Sequence, residues 1–253
     1  MISKNQIKHI QALHSKKNRE ETGLFIIEGV KLIEEFLSQT KFEVSDVFAS
    51  EEFIKKHKST FSNKSIRFFE VNDDELKKIS LQSTPNKALA IVRQKQDNLN
   101  ENILQSSVNL FLDDIRDPGN LGTIIRIADW FGIGQIICSP NCTELYNPKV
   151  LQASMGAIIR MPVVYMDFED LKPFLQSVPK YGAVLTGQNI YTSKLSSGII
   201  IIGNEANGIS QEVISEITHP ITIPSAQSNG SESLNAANAC AIICSEFHRQ
   251  LTY

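Results

Sequence analysis

The chain has 253 residues, 42% of them hydrophobic, with a formal net charge of -3, enough for one large domain or two modest ones. No run reaches the roughly 18 apolar residues that a membrane-spanning helix needs, and the start, MISKNQIKHIQ, lacks the apolar core of a signal peptide, so a cytoplasmic protein is expected. The overall charge does not mark a nucleic-acid binder, but it is divided unevenly: residues 1–95 hold 17 Lys/Arg against 13 Asp/Glu and the remainder 8 against 15.

Residues 1–19 carry Lys4, Lys8, Lys16, Lys17 and Arg19 and no acid. Such asymmetry points to a polyanion or to a solvated charged face, and charge alone does not choose. The spacing of Ile7, Ile10 and Leu13 predicts a helix over residues 3–18. A strand at Leu24–Glu28, a helix from Val30, a strand at 44–50, a helix from Glu51 and a strand at 65–71 follow. NDDELKKIS (72–80) places acids in its first turn and lysines in its last, which suits a helix dipole. A strand at 88–94 completes an alternating α/β pattern spanning residues 1–96. The polar, aperiodic stretch 97–106 is expected to be a linker, and residues 107–253 a second domain.

In that second half strands are expected at Val108–Leu112, Gln135–Cys138, Ile158–Val164, Gly182–Thr186, Gly198–Ile202 and Pro220–Ile223. Helices are expected at Leu121–Phe131, Pro148–Ser154, Phe168–Ser177, Ser210–Ile217 and Ser233–Leu251. GIIII (198–202) is continuously apolar, as a strand buried on both faces must be. The expected fold is a mostly parallel sheet with helices on both faces, and ligands in such sheets sit beyond the carboxyl ends of the strands. That rule selects Asp113–Gly122, Thr186–Asn189, Gly203–Gly208 and Pro224–Asn235.

Each of these stretches has chemistry. Pro118-Gly119-Asn120 reads as a turn, with Asn120 able to cap the next helix. Arg126 follows and can grip a phosphate through its planar fork, or pair structurally with Asp113, Asp114 or Asp129. GNEANGIS (203–210) sets a carboxylate and free amides between two glycines at a strand end, which suits a small polar ligand or a simple turn. In 223–242, Ser231 with Ser233 or Glu232 can cap a helix whose start can bind an anion. The Cys138/Cys142 and Cys240/Cys244 pairs have four-residue spacing, but Cys240 and Cys244 fall in a helical run of small apolar residues and read as packing, and no histidine has ligand spacing nearby; no metal site is expected. No dinucleotide glycine fingerprint, P-loop or Ser/His/Asp order is present, and the five histidines lie outside the candidate loops, so the chemistry is expected to run without a histidine base or with little proton transfer in the protein.

Taken together, these residues resemble the SpoU/TrmH family of RNA ribose methyltransferases, within the SPOUT superfamily. DDIRDPGNLGTIIRIADWFG carries the N-x-G-x-x-x-R pattern as Asn120, Gly122 and Arg126. IIIGNEANGIS supplies Gly203, Asn204, Glu205 and Gly208, and IPSAQSNGSESLNAANACAI supplies Ser233, Leu234 and Asn235. YNPKVLQASMGAIIRMPV adds Ser154, Gly156 and Ala157. The resemblance covers roughly residues 108–250, and the N-terminal half resembles the ribosomal-protein-like RNA-binding domain of many members.

The resemblance implies a trefoil-knotted C-terminal SPOUT sheet, a homodimer, and S-adenosylmethionine-dependent methylation of a ribose 2′-hydroxyl in structured RNA, rRNA ahead of tRNA. It implies Arg126 as the catalytic arginine with Asn120, Glu205, Ser233 and Asn235 as its polar partners. The donor pocket is expected from Leu185, Thr186, Gly187, Gly203, Asn204, Ile223, Ser233 and Leu234. The loop 225–232 departs from the family pattern, with Ser225-Ala226-Gln227 after Ile-Pro. Tyr146 and Tyr191 are candidates for base stacking. The competing expectation is a non-catalytic RNA-binding relative acting in ribosome assembly.

Overall fold

The computed structural model describes residues 2–58, 65–226 and 233–253. The chain divides into two compact units, residues 1–95 with 146–151, and residues 96–145 with 152–253.

The first unit runs α1 (Lys4–Ala12), α2 (Lys16–Thr22), β1 (Leu24–Glu28), α3 (Val30–Ser38), β2 (Val44–Ala49), α4 (Glu51–Lys58), β3 (Arg67–Glu70), α5 (Asp73–Ile79) and β4 (Ala88–Arg93). Where one helix is predicted over 3–18 there are two. Ser3 and Gln6 close a capping box at the start of α1, and Gly23, at φ 64°, ends α2 in the left-handed region. The sheet order is β1-β4-β2-β3, antiparallel except for the β2–β3 pair. Ile10, Leu13, Phe48, Ile79, Leu89 and Ile91 form a core on one of its faces. Tyr146 belongs to this unit and is buried, its ring stacked on Phe25 at 4.4 Å and its hydroxyl donating to the Lys95 carbonyl at 2.5 Å. It packs the unit, which removes it as a base-stacking candidate.

The chain continues with α6 (Glu101–Ser106), β5 (Val108–Leu112), α7 (Pro118–Trp130), β6 (Ile136–Cys138), α8 (Pro148–Ser154), β7 (Val163–Tyr165), α9 (Phe168–Leu171), β8 (Lys180–Asn189), β9 (Gly198–Ile202), α10 (Gln211–Ile214), β10 (His219–Thr222) and α11 (Ala236–Thr252), all in the second unit except residues 148–151 of α8, which belong to the first. The six strands lie in the order β10-β8-β9-β5-β6-β7 and every pair is parallel. In β9, Ile199, Ile200 and Ile201 are fully buried between helical layers, each side chain contributing roughly 1.5–3 kcal/mol by burial.

Two predicted elements are corrected. The stretch 97–106 is not an open tether: Leu104 of α6 is fully buried in the second core, and the Asn109 amide donates to the carbonyls of Ile103, Leu104 and Ser107, tying down the helix end. The strand expected at 158–164 is a 3-10 turn at Ala157–Ile159 followed by short β7. Gly156 at φ 86° sets the turn, and Pro162 has no N–H for a ladder.

Helix α11 packs on α7 and carries a buried carboxylate. Glu246 accepts from Arg249 Nε at 2.8 Å and Nη2 at 2.7 Å and from Gln250 at 2.7 Å. The Arg249 guanidinium first, and the Gln250 amide second, hold its pKa down to about 2 against the ordinary 4.5. A depressed folded-state pKa stabilises fully above the unfolded value, and that stabilisation is lost as pH falls from about 4.5 to about 2. Glu246→Gln is therefore expected to lower the melting temperature at pH 7 and to flatten its fall across that acid window. Parallel melting curves for both proteins against pH would contradict this account of α11.

Candidate active site

The parallel register brings the candidate loops to one edge. Leu112 of β5 lies opposite Ile202 of β9, so Asp113 and Gly203 leave the sheet side by side. The Asp113 N–H donates to the Ile202 carbonyl at 2.9 Å, and its buried carboxylate accepts from Ser210 N at 2.7 Å. Asp114, at φ 59°, accepts at its carbonyl from the Asn204 side chain at 2.8 Å. The two loops are thus stitched together before any ligand arrives.

Helix α7 begins three residues earlier than predicted. Asp117 is its N-cap, accepting from Asn120 N at 2.8 Å, and Pro118 takes the first helical position, where its missing N–H costs nothing. Asn120 therefore sits inside the first turn and does not cap the helix. Its side-chain amide instead donates to Glu205 Oε1, and its carbonyl oxygen accepts from Asn235 Nδ2 at 2.9 Å. Asn235 is itself the N-cap of α11, accepting from Ala237 N at 3.0 Å and Asn238 N at 3.3 Å. The cap is thus Asn235 in place of Ser233; Ser231 and Glu232 lie outside the described residues. Three predicted residues, Asn120, Glu205 and Asn235, meet in one hydrogen-bonded group.

Arg126 is exposed on α7, on the stripe that carries Thr123 and Trp130. The acids that would make it a structural bridge are engaged elsewhere: Asp129 holds Arg160 at 2.8 Å, Asp114 holds Arg116 at 2.7 Å, and Asp113 holds the Ser210 amide. Among the described residues Arg126 makes no ion pair; its Nη1 rests on Met155 Sδ at 3.0 Å. Its charge stays available to an incoming anion. Met155 was not anticipated, although Ser-Met-Gly before a turn is a place where a side chain is thrown outward. It has φ 46° and is 65% exposed.

The predicted donor residues line neighbouring strand ends. Pro220 pairs with Gly182 and Ile221 with Gln188, so Leu185, Thr186 and Gly187 bulge out of the β8–β10 ladder. A Cβ on Gly187 would lie 2.6 Å from the Ile221 carbonyl carbon, and one on Gly203 would lie 2.3 Å from that of Gly208. Both positions are closed to any side chain, which leaves bare backbone at these strand ends. Leu185 is 73% exposed and Leu234 49%, two large apolar side chains open to a ligand. Ser233 is exposed and Ile223 half-buried. Asn204 is engaged within its own loop: its side chain accepts from Ala206 N and Asn207 N, and its backbone pairs with Gly208 in both directions. Apolar side chains beside backbone amides and carbonyls suit a small ligand that is part apolar and part polar. Of the atypical loop 225–232, residues 227–232 lie outside the described residues. Among the described residues no cluster of His, Cys, Asp or Glu is arranged to hold a metal.

Comparison with known proteins bears on this geometry. The model of the SpoU rRNA Methylase family matches residues 107–245, and that of the MRM3-like substrate binding domain matches residues 4–90. A TrmH-family protein from Porphyromonas gingivalis is 34% identical and covers 99% of each chain at a TM-score of 0.86. The AdoMet-bound rRNA methyltransferase from Sinorhizobium meliloti is 28% identical, covering 100% of this chain and 98% of that one at a TM-score of 0.87. The 23S rRNA (guanosine(2553)-2′-O)-methyltransferase RlmP of Bacillus subtilis (strain 168) is 28% identical over 95% of both chains.

Gly203→Ala tests the cradle. The added methyl must displace backbone, at roughly 1–3 kcal/mol. Chemical denaturation should show a lower midpoint at that position; an unchanged midpoint would mean the 203–208 loop opens without cost.

Proposed function

We propose, from the premise that this chain belongs to the SpoU rRNA methylase family, that it methylates a ribose 2′-hydroxyl of ribosomal RNA with S-adenosylmethionine as donor. The observation that carries the reading is the meeting of Asn120, Glu205 and Asn235 at the strand ends where Gly187 and Gly203 leave backbone bare. The donor pocket is Leu185, Thr186, Gly187, Gly203, Ile223, Ser233 and Leu234, with Asn204 shaping its loop. When bound, the donor supplies a methyl group already made electrophilic by its sulfonium. The protein's task is to hold two reactants in line and to manage the hydroxyl proton.

Arg126 is the catalytic arginine. A guanidinium is protonated at any working pH and has no lone pair to accept a proton. Its role is to clamp the phosphate on the 3′ side of the reacting ribose and to stabilise negative charge growing on the 2′-oxygen; the proton leaves to phosphate or water. The contact with Met155 orients Arg126 without neutralising it. Glu205, Asn120, Ser233 and Asn235 order the loops around the reacting ribose and donor.

The second unit carries the trefoil knot of the family, a reading that the strand order β10-β8-β9 supports. The working form is a homodimer. Trp130, 81% exposed, shares its stripe with Arg126, and α11, which packs on α7, ends in the exposed Leu251 and Tyr253. A second copy covering that apolar surface would close over the arginine side of the site. Action on ribosomal RNA fits a cytoplasmic location. A non-catalytic RNA-binding role in ribosome assembly is disfavoured, because such a protein has no need of Arg126, Asn120, Glu205, Ser233 and Asn235 together.

Calorimetric titration should show S-adenosylmethionine binding to the full chain; a chain that binds none would end the methyltransferase reading. Arg126→Lys should retain measurable turnover, reduced roughly 100-fold, with donor affinity unchanged. An inactive Arg126→Lys protein that binds donor and RNA normally would contradict a charge-only role. Trp130→Glu should shift sedimentation from dimer to monomer, and an unchanged sedimentation coefficient would place the dimer surface elsewhere.

A further inference from the structure

The first unit has a groove that the methyl-transfer chemistry does not use. It lies between α1 and edge strand β3, with a volume of about 90 Å³, where one water needs roughly 10–15 Å³. Strand register builds it. Asp46 pairs with Arg67 and Phe48 with Phe69 across β2 and β3, while Ile91 of β4 lies on the other side of Asp46. Residues two apart share a face, so the four side chains from β2 and β3 form two adjacent rows, one charged and one aromatic. Ile10, Phe48 and Ile91 make an apolar floor. Gln6 and His9, three apart on α1, line the opposite rim.

The walls are rigid. The buried Asp46 carboxylate takes Arg67 Nε at 2.8 Å and Nη2 at 2.9 Å, and also the Ser45 hydroxyl at 2.8 Å. The Arg67 plane is thereby fixed although its side chain is 70% exposed. Phe69 stacks on Phe48 with centroids 4.9 Å apart and rings 12° from parallel. The capping box engages Gln6 Oε1 and leaves its NH2 as a donor. A held guanidinium plane, an aromatic wall and amide and imidazole groups at the rim are what a flat heterocycle with polar edges requires.

We propose that this groove takes an unstacked nucleobase of the RNA substrate, with Arg67 and Phe69 as its walls and Gln6 and His9 as edge-reading groups. The inference rests on the chain acting on RNA, and it assigns base recognition to named residues of the first unit.

The test uses the full chain and a single-stranded RNA pentamer, with ribose 5-phosphate as a probe that has the charge and no base. In heteronuclear NMR the pentamer should move the Gln6 side-chain amide and the Arg67 Nε–H resonances, and ribose 5-phosphate at equal concentration should not. Arg67→Lys keeps a charge for Asp46 but removes the plane; His9→Ala removes an edge group at the surface. Each should weaken pentamer binding at least fivefold, with the melting temperature and S-adenosylmethionine affinity unchanged. Wild-type pentamer affinity in both variants would overturn the proposal, as would equal shifts with ribose 5-phosphate, which would make the groove an anion site. Loss of pentamer binding in these variants, in a chain that binds no donor, would support the groove while ending the methyl-transfer reading; the two claims fail separately.

Discussion

One constraint orders the second unit: Asn120, Glu205 and Asn235 must meet, although 85 residues separate the first pair and 115 separate Asn120 from Asn235. Exposed hydrogen bonds of this kind contribute little alone, about 1 kcal/mol each, and somewhat more where one partner is charged. They cannot gather three loops from an open chain against the entropy of ordering them. The sheet gathers them. Adjacent parallel strands β5 and β9 end in register at Leu112 and Ile202, and Asp113 locks the second loop to the first through Ser210. Packing of α11 on α7 then brings Asn235 to the first turn of α7. The polar group is the consequence of a buried apolar scaffold, and its side chains are held in place before a ligand binds.

The same logic applies to charge. Residues 96–253 are net acidic, which is unfavourable for meeting RNA unless a cation is kept free. The structure does this by engaging the acids near α7 elsewhere, with Arg160, Arg116 and a backbone amide. Arg126 is left on a neutral thioether. The first unit, net basic, supplies cations on α1 and a guanidinium pinned by a buried carboxylate. A surface salt bridge is worth little to stability, so the Arg67–Asp46 pair is better understood as fixing orientation.

The fold was legible where apolar periodicity is strong. GIIII announced a doubly buried strand, and β5 and β9 lie at the predicted positions. Elements set by single residues were harder. Gly156 and Pro162 turned a predicted strand into a 3-10 turn, because one left-handed residue and one missing donor outweigh the apolarity of Ile158 and Ile159. The stretch 97–106 looked like a tether because its burial rests on two scattered leucines, Leu104 in the core and Leu99 packed against it. At the site, the family resemblance named Asn120, Glu205 and Asn235, yet not the hydrogen bonds that join them to one another. Asp117 before Pro118 is a helix-start signal visible in sequence, and it would have freed Asn120 from the capping role. Nothing in one sequence indicates that Met155 would face Arg126, since that contact depends on a left-handed residue from a different element.

The central claim is that this assembled edge methylates ribose in ribosomal RNA. Ribosomal RNA from cells with and without the protein can be digested to nucleosides and alkali-resistant dinucleotides and compared by mass spectrometry. The account predicts one 2′-O-methylated nucleotide that disappears without the protein and returns with the wild-type chain but not with Arg126→Ala. Identical 2′-O-methyl profiles in the two RNAs, or restoration by Arg126→Ala, would contradict it.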